Sequence, residues 1–247
     1  MAPSSKEFVY GLNPAFETLR ANRRRIFGAY LSEVSAQTGR QKKLKELLDR
    51  RQVPIEWTDK GRLTQLCGAR EHQGVVLRTD LYPYVPHTQV FEAAPSRLLL
   101  LDNVEDPHNV GAILRSAEIF GFDHVLLPIK GVPEIYPSVL KVSAGAAEFM
   151  QIARDCTANK YVQLARDAGY HIAALDAKGA VQLSDLAQRC PEKLFLVIGG
   201  EDKSVGQYIL NLADSVLRVE QAGKVNSLNA SVASGIAMFM LGATHGS

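Results

Sequence analysis

The strict alternation of apolar strand-like runs with helical segments over residues 97–241 is the feature that most constrains the fold. Two of the runs, RLLLLD (97–102) and LFLVIGG (194–200), are almost continuously apolar, as strands buried on both faces are. The alternation predicts an α/β fold with a mostly parallel sheet covered by helices. The predicted strands are 97–102, 124–128, 150–153, 171–176, 194–200 and 215–219, and the predicted helices are 110–120, 137–147, 158–168, 183–189, 204–212 and 225–241.

Residues 1–80 predict a second, smaller α/β domain in front of this one. Asn13 is the candidate cap of a helix over 11–22 with Pro14 in its first turn, and Asp59 is the candidate cap of a later helix. The predicted strands are 26–31, 53–57 and 74–78, and a helix with Leu44, Leu47 and Leu48 inward precedes the second of them. Residues 81–96 hold three prolines and almost no charge, which predicts a stiff linker to the domain at 97–247.

The net charge of +2 conceals an asymmetry between the two domains. Residues 1–80 contain 15 Lys and Arg against 9 Asp and Glu, a net charge of +6, whereas residues 81–247 carry −4. A basic front domain with the run Arg23-Arg24-Arg25 indicates contact with a polyanion. A solvated basic face without a ligand is the alternative that the charge count leaves open.

Several classes of protein are excluded by what the sequence lacks. Cys67, Cys156 and Cys190 lie far apart, which favours free thiols in a reducing, cytoplasmic setting. No apolar run reaches the roughly 20 residues that cross a bilayer, so no membrane segment is expected. The sequence also has no phosphate-binding loop, no Rossmann fingerprint, no HExxH motif, no Gly-x-Ser-x-Gly elbow and no Cys/His metal set.

The C-terminal stretch VNSLNASVASGIAMFMLG (225–242) predicts a helix that is apolar or small on nearly every face and therefore buried. At its start, Ser227, Leu228 and Asn229 would direct polar side chains and free amides at whatever lies there. One interpretation is the floor of a ligand site. An ordinary buried terminal helix with a Ser or Asn cap is the other.

Three polar or glycine-rich clusters follow predicted strands, where parallel sheets bind their ligands: residues 102–121, 198–206 and 219–229. In the first cluster, Asp106 is expected to cap a helix that begins at Pro107. Asn109 and Arg115 lie about 120° apart around that helix, so they converge on one ligand only if the helix start is irregular or Arg115 reaches round. A surface ion pair of Arg115 with Glu118 is the alternative.

Together these clusters resemble the three motifs of the SpoU-type (TrmH-type) RNA 2′-O-ribose methyltransferases in the SPOUT superfamily. The first motif matches Asn109, Gly111 and Arg115 in DPHNVGAILRSA, the second matches Gly199 and Glu201 in LVIGGED, and the third matches Ser227, Leu228 and Asn229 in SLNASVASGIA. The likeness covers residues 97–247. The front domain, with YGLNPAFETLR and HQGVVL, more loosely resembles the L30e-like RNA-binding domain of the ribosomal RNA members.

The resemblance implies a trefoil-knotted C-terminal domain, although chain knots are generally absent from proteins. It implies S-adenosylmethionine bound through the backbone at Gly199, Val219 and Leu228, a homodimer whose partner helps to complete the site, and no metal. Arg115 would be the residue at the ribose hydroxyl, and Asn109, Glu201, Ser227 and Asn229 would orient it and the substrate. A guanidinium with a pKa above about 12 is a poor base, so we expect Arg115 to position a phosphate.

Two departures from the family pattern concern the cofactor loops. Glu220-Gln221 replace a common Pro-Met pair, and Asp202 replaces the usual Gly after the motif-two Glu. The leading prediction is methylation of a guanosine ribose in large-subunit ribosomal RNA. A transfer RNA methyltransferase and a non-catalytic RNA-binding ribosome-assembly factor are the alternatives, and the changed cofactor loop is the feature that favours the latter.

Overall fold

A computed structural model describes residues 6–33, 39–201, 203–223 and 228–242 of the chain. The chain forms two compact units, the first made of residues 1–83 and 135–149 and the second of residues 84–134 and 150–247. The predicted division differs at two places. Residues 84–96 fold into the second unit, where Val85 forms a β-bridge to Ala153, rather than acting only as a linker. Residues 135–149, predicted within the second domain, belong to the first unit.

The secondary structure follows the predicted alternation, with small shifts at the ends of elements. The first 83 residues form β1 (Lys6–Tyr10), α1 (Leu12–Ala21), β2 (Ile26–Ser32), α2 (Gly39–Arg50), β3 (Ile55–Thr58), α3 (Lys60–Cys67) and β4 (Val75–Asp80). The rest forms α4 (His87–Glu92), β5 (Arg97–Asp102), α5 (Pro107–Ile119), β6 (His124–Leu126), α6 (Pro137–Val142), a 3₁₀ helix (Ala146–Phe149), β7 (Gln151–Ala153), α7 (Ala158–Asp167), β8 (His171–Leu175), β9 (Val181–Gln182), α8 (Leu183–Gln188), β10 (Leu194–Gly199), α9 (Gln207–Leu212), β11 (Ser215–Arg218) and α10 (Ala230–Leu241).

The first unit contains a four-stranded sheet in the order β1-β4-β2-β3. The pairs of β4 with β1 and β2 are antiparallel, and β2 pairs with β3 in parallel. Asp59 caps α3 as predicted, accepting a hydrogen bond from the Arg62 amide at 3.0 Å. The prediction that Asn13 caps α1 is wrong. The helix begins after Gly11, because the side chain of Gln73 accepts from the Leu12 amide at 3.1 Å.

Residues 135–149 are joined to the rest of the first unit by a buried ion network. The guanidinium of Arg24 pairs with the carboxylates of Glu7 and Glu148, and the Arg24 and Glu148 side chains are each 1% exposed. Arg23 donates to the backbone oxygens of Glu148 and Pro83, each at 3.2 Å. The basic run that indicated a polyanion site is therefore largely structural, and only Arg25 of the three arginines is exposed.

The second unit contains a seven-stranded sheet in the order β7-β6-β5-β10-β8-β11-β9, in which every adjacent pair is parallel. The predicted parallel α/β sheet is confirmed. Residues 98–101 of β5 and 194–198 of β10 are buried, as their continuous apolar sequence predicts. The short strand β9 had no counterpart in the prediction. Since β5 and β10 are neighbours but far apart in sequence, their carboxyl ends form a switch point where such sheets bind ligands.

The prediction that α10 is buried on nearly every face is wrong. Its small residues Ala230, Ser234 and Ala237 are buried, together with Met238 and Leu241. A Cβ added to Gly235 would lie 3.6 Å from Ser116 Oγ of α5, an ordinary van der Waals distance, so the two helices are in contact there. The larger apolar side chains of Val232 and Phe239 are instead 50% and 71% exposed. The inward face therefore combines small residues with Met238 and Leu241, whereas Val232 and Phe239 form an exposed apolar stripe.

None of the helices in the described ranges combines the length and apolar character that crossing a bilayer requires.

Candidate active site

A cleft of ≈ 330 Å³ lies at the carboxyl ends of the strands of the second unit. Its aliphatic lining comes from the ends of β8 and β10, from the residue after β11 and from the start of α10: Leu175, Ile198, Gly199, Val219, Leu228 and Ala230. The three residues predicted to bind the cofactor, Gly199, Val219 and Leu228, all line it. The structure thus brings together residues that are up to 29 positions apart in sequence.

Gly199 and Gly200 at the end of β10 are required by the protein's own backbone. A Cβ at Gly199 would lie 2.5 Å from the Val205 amide, and one at Gly200 would lie 2.0 Å from the Asn103 carbonyl oxygen. The nearest atoms show that the two glycines allow two loops to cross the strand end, and these loops then shape the wall of the cleft.

One polar cluster joins a residue from each of the three predicted motifs. The Oε1 atom of Glu201 accepts from Asn109 Nδ2 at 2.9 Å and also from Asn229 Nδ2. Asn229 Nδ2 is in addition 3.2 Å from Asn109 Oδ1, and the Ala230 amide is 3.4 Å from the same Glu201 oxygen. The contacts hold the first turn of α5, the loop after β10 and the start of α10 in one arrangement.

Asn229 has a second role as the N-cap of α10. Its Oδ1 atom accepts from the amides of Ser231 and Val232 at 2.9 and 3.3 Å. The side-chain oxygen of Asn229 therefore binds the start of the helix, and its side-chain nitrogen binds Glu201. A carboxylate close to the start of a helix is also favoured by the helix dipole, so Glu201 and α10 stabilise each other.

Arg115 stands apart from this cluster. It lies on α5, six residues after Asn109, which is about 9 Å further along the helix axis. The side chain is exposed and makes no ion pair or hydrogen bond with the residues that the structure describes, so the alternative pair with Glu118 is not formed there. The structure does not bring Arg115 to the cleft of its own chain. Ser227, the remaining predicted site residue, lies outside the described residues.

Glu220, which differs from the family pattern, forms its hydrogen bonds with Ser184 and does not line the cleft. Its Oε1 atom accepts from Ser184 Oγ at 2.5 Å and from the Ser184 amide at 3.2 Å. The hydroxyl hydrogen bond is the main cause of the lowered pKa of this carboxyl group. Gln221 is among the residues that line the cleft. Asp202, the other departure, lies outside the described residues.

Asp102 at the end of β5 is a positioning residue that the sequence interpretation missed. Its buried side chain accepts from the Gly206 amide at 2.8 Å, which fixes the loop before α9. Burial raises the pKa of this carboxyl above its ordinary value. The signal was present in RLLLLD, where an acid ends an otherwise apolar strand.

A second cleft of ≈ 230 Å³ adjoins the polar cluster. Its lining is polar and comes from the segment between β5 and α5 and from the loop after β10: Asn103, Glu105, Asp106, Asn109, Glu201 and Lys203. Gly200 and Glu201 line both clefts. Glu201 therefore lies where a ligand in the first cleft and a ligand in the second would meet.

The fold occurs in solved RNA methyltransferases. The S-adenosylmethionine-bound rRNA methyltransferase from Sinorhizobium meliloti has a TM-score of 0.77 and 20% identity, over 96% of this chain and 87% of that chain. The TrmH/SpoU tRNA modifying enzyme of A. aeolicus, with a TM-score of 0.52 and 23% identity, aligns with 62% of this chain and 79% of its own.

Two family models match the sequence. Residues 96–239 match the SpoU rRNA methylase family, and residues 8–85 match the substrate-binding domain of RNA 2′-O ribose methyltransferases. A Bacillus subtilis relative described as a putative TrmH family tRNA/rRNA methyltransferase is 30% identical over 94% of each chain. The chain belongs to the SpoU methylase family, and it is an RNA methyltransferase that uses S-adenosylmethionine. The alternative of a non-catalytic assembly factor is wrong.

The first cleft fits this cofactor. Its volume lies within the range of small-molecule sites, and its lining combines aliphatic walls with backbone groups at three loops. Gly199, Val219 and Leu228 are the residues that would hold it, through main-chain atoms. When bound, the cofactor supplies an electrophilic methyl group, so the protein has to align a nucleophile and assist the loss of its proton.

Proposed function

We propose that the protein methylates the ribose 2′-hydroxyl of a guanosine in large-subunit ribosomal RNA. The observation that carries this proposal is the convergence of Asn109, Glu201 and Asn229 between the two clefts. RNA rather than DNA follows from the need for a 2′-hydroxyl. In support of ribosomal RNA, the rRNA methyltransferase of S. meliloti aligns with nearly the whole chain, whereas the tRNA enzyme of A. aeolicus aligns with less than two thirds.

Within this site the chain's own residues act by positioning. Glu201 fixes the amides of Asn109 and Asn229. Both N–H bonds of Asn229 are used within the cluster, so the remaining N–H of Asn109 is the one directed to the substrate ribose. Arg115 binds an RNA phosphate and stabilises charge near the reacting oxygen. Ser227 completes the polar set. The assignment of an RNA-binding first unit and a catalytic second unit with a trefoil knot is part of the proposal, as is a cytoplasmic location, which the free state of all three cysteines supports.

A homodimer is the proposed active form, and its interface is formed by α5 and α10. Ile119 is 58% exposed, and Phe239, whose ring packs edge-on against Phe120 at 5.7 Å between centroids, is 71% exposed. An exposed apolar stripe of this kind marks a surface that another protein covers. Arg115 lies four residues before Ile119 and hence on the same helix face. We therefore assign Arg115 to the site of the partner chain, because its own cluster is out of reach.

The test is methyl transfer with purified protein, labelled S-adenosylmethionine, and two substrates that lack their modifications: large-subunit ribosomal RNA and total transfer RNA. We expect label in the ribosomal RNA, recovered after nuclease digestion as 2′-O-methylguanosine. Label in transfer RNA, or on a base, would contradict the proposed substrate. The Asn109→Ala variant is expected to bind the cofactor but to transfer no methyl group.

A further inference from the structure

The ring of Phe27 in the first unit is surrounded by three cationic side chains. Lys6 Nζ lies 4.0 Å from the ring centroid, and the guanidinium carbons of Arg25 and Arg78 lie 4.8 and 5.9 Å from it. An aromatic ring attracts cations through its negative face. Three cations on one ring nevertheless repel one another, so the arrangement concentrates positive charge around a flat apolar group.

The sheet geometry explains how these side chains meet. Lys6, Phe8 and Tyr10 are at alternate positions of β1, so their side chains lie on the same face of the sheet. Arg78 on β4 is directly opposite Phe8. The pairing of β2 with β4 is irregular between Ile26 and Gly28, which places Phe27 in a bulge. Bulges redirect a side chain and often lie next to functional sites.

The opposite end of the same sheet face is covered. There Tyr10 and Val76 form a core cluster with Leu63 of α3, and Leu66 packs against it. The end that carries Lys6, Phe27 and Arg78 extends past this cluster, and none of these side chains is buried. We call the group of Lys6, Arg25, Phe27 and Arg78 the Phe27 patch.

A second arginine–phenylalanine contact in the same unit differs, because the charge of its arginine is neutralised by an acid of the chain. Arg20 lies 5.5 Å from the ring of Phe149 and also forms an ion pair with Glu17 at 2.7 Å. Arg25 and Arg78, in contrast, form no ion pair with any acid in the described ranges. The charges of Arg25 and Arg78 are thus complementary to an anion from outside the chain.

We propose that the Phe27 patch binds an unpaired nucleotide of the RNA substrate. The base stacks on the ring of Phe27 and replaces one of the flexible cations there, and the cations then contact the phosphates on either side. Bases in a duplex are already stacked on each other, whereas those of loops and bulges are free to stack on a protein ring. This inference rests on the proposed RNA substrate and adds where, and in which form, the first unit binds it.

The first test measures the affinity of the full-length protein for a fluorescent, unstructured oligoribonucleotide of about 12 residues, a length that spans one single-strand binding site. We expect Phe27→Ala to weaken binding about tenfold, since loss of one stacked base has roughly that effect. Phe27→Leu keeps the apolar bulk without the flat ring and should also weaken binding. Phe27→Trp should restore it, and the matched control Phe149→Ala should bind like the wild type.

The second test is the salt dependence of the same binding. The double variant R25Q/R78Q should lower the slope of log affinity against log salt by about 1.4, that is about 0.7 for each phosphate that the protein no longer neutralises. The double variant R20Q/R50Q removes the same charge elsewhere in the unit and should leave the slope near its wild-type value. Binding to an RNA duplex of equal charge should depend on the arginines but not on Phe27.

Two results would overturn the proposal. If Phe27→Ala and Phe27→Leu bind the single strand as the wild type does, no base stacks there, even if the arginine variant is impaired. If Phe149→Ala weakens binding as much as Phe27→Ala, the effect is not specific to the patch. A failure of the proposed function would give a different result. The wild-type protein would then transfer no methyl group to RNA, but the differences in RNA binding between the Phe27 variants and the wild type would remain.

Discussion

Glu201 receives three hydrogen-bond donors on one oxygen, and this determines what that oxygen can do. Its Oε1 atom faces the side-chain amides of Asn109 and Asn229 and the backbone amide of Ala230. An oxygen engaged in this way holds its partners in place and has little capacity left to remove a proton. Through Oε1, Glu201 therefore holds these groups in place, and we expect that role to depend on an amide, rather than an acid, at position 229.

Asn229→Asp tests that dependence. The aspartate keeps the oxygen that caps α10 but places a second carboxylate against Glu201. We expect methyl transfer to fall at least about tenfold at neutral pH, since a hydrogen bond to a charged group is replaced by repulsion. Two adjacent carboxylates raise the pKa of the pair, so protonation at lower pH should restore a donor. Activity of the variant relative to wild type should therefore rise as pH falls.

The control is Asn211→Asp, the same substitution on α9, where the side chain contacts only Gln207 at 2.8 Å among the described residues. It should leave the rate unchanged. A constant ratio of Asn229→Asp to wild-type activity across pH would argue against a shared proton at Glu201.

At the scale of elements, α10 has one face that packs against the protein core and one face that is exposed and apolar. Its small residues pack inward beside α5, and its bulky residues Val232 and Phe239 face outward. Phe239→Glu should therefore leave the fold intact and convert the proposed dimer to a monomer, because a charge would be placed in an apolar interface. Light scattering coupled to size exclusion measures the mass directly, and methyl transfer should fall with it if Arg115 acts in the partner's site.

Phe149→Glu, on an exposed aromatic of the first unit, is the matched control and should remain dimeric. A monomeric wild type would contradict the proposed dimer, and a dimeric Phe239→Glu would place its interface elsewhere.

The helix α10 also shows how far sequence patterns reach. The apolar runs predicted the strands and their parallel arrangement, and the resemblance to the family motifs implied that Asn109, Glu201 and Asn229 belong to one site. Composition, however, does not indicate which face of a uniformly apolar helix packs. The inward face of α10 holds Ala230, Ser234 and Ala237 as well as Met238 and Leu241, and which face turns inward depends on where α5 lies in space.

At the scale of the whole molecule, the first unit is held together across a long sequence separation. Arg24, with its side chain 1% exposed, pairs with Glu148, 124 residues further along the chain. Local sequence could not predict this pair, because Arg23, Arg24 and Arg25 are identical in type and only the fold distinguishes the buried one. The same reason explains why residues 135–149 were assigned to the wrong part of the chain's organisation.

Arg24→Ala should lower the free energy of unfolding of the first unit by about 3–5 kcal/mol, because it leaves two carboxylates without their buried partner. Arg25→Ala, the neighbouring substitution on an exposed side chain, should change it by less than about 0.5 kcal/mol. Urea titration followed by the fluorescence of Trp57, the single tryptophan and a residue of β3, reports on this unit. Equal effects of the two substitutions would contradict the structural assignment of Arg24.

Residues 135–149 belong to the first unit although they follow part of the second unit in the sequence. This arrangement restricts how genetic recombination can exchange the two units. The chain passes between the two units three times, after residues 83, 134 and 149. A recombination event that joined a foreign RNA-binding domain at residue 84 would transfer the second unit together with a segment fitted to the domain that was replaced. Buried residues such as Leu140, Ala147 and Glu148 would then have no matching surface. The two units are therefore expected to be exchanged between genes as a pair.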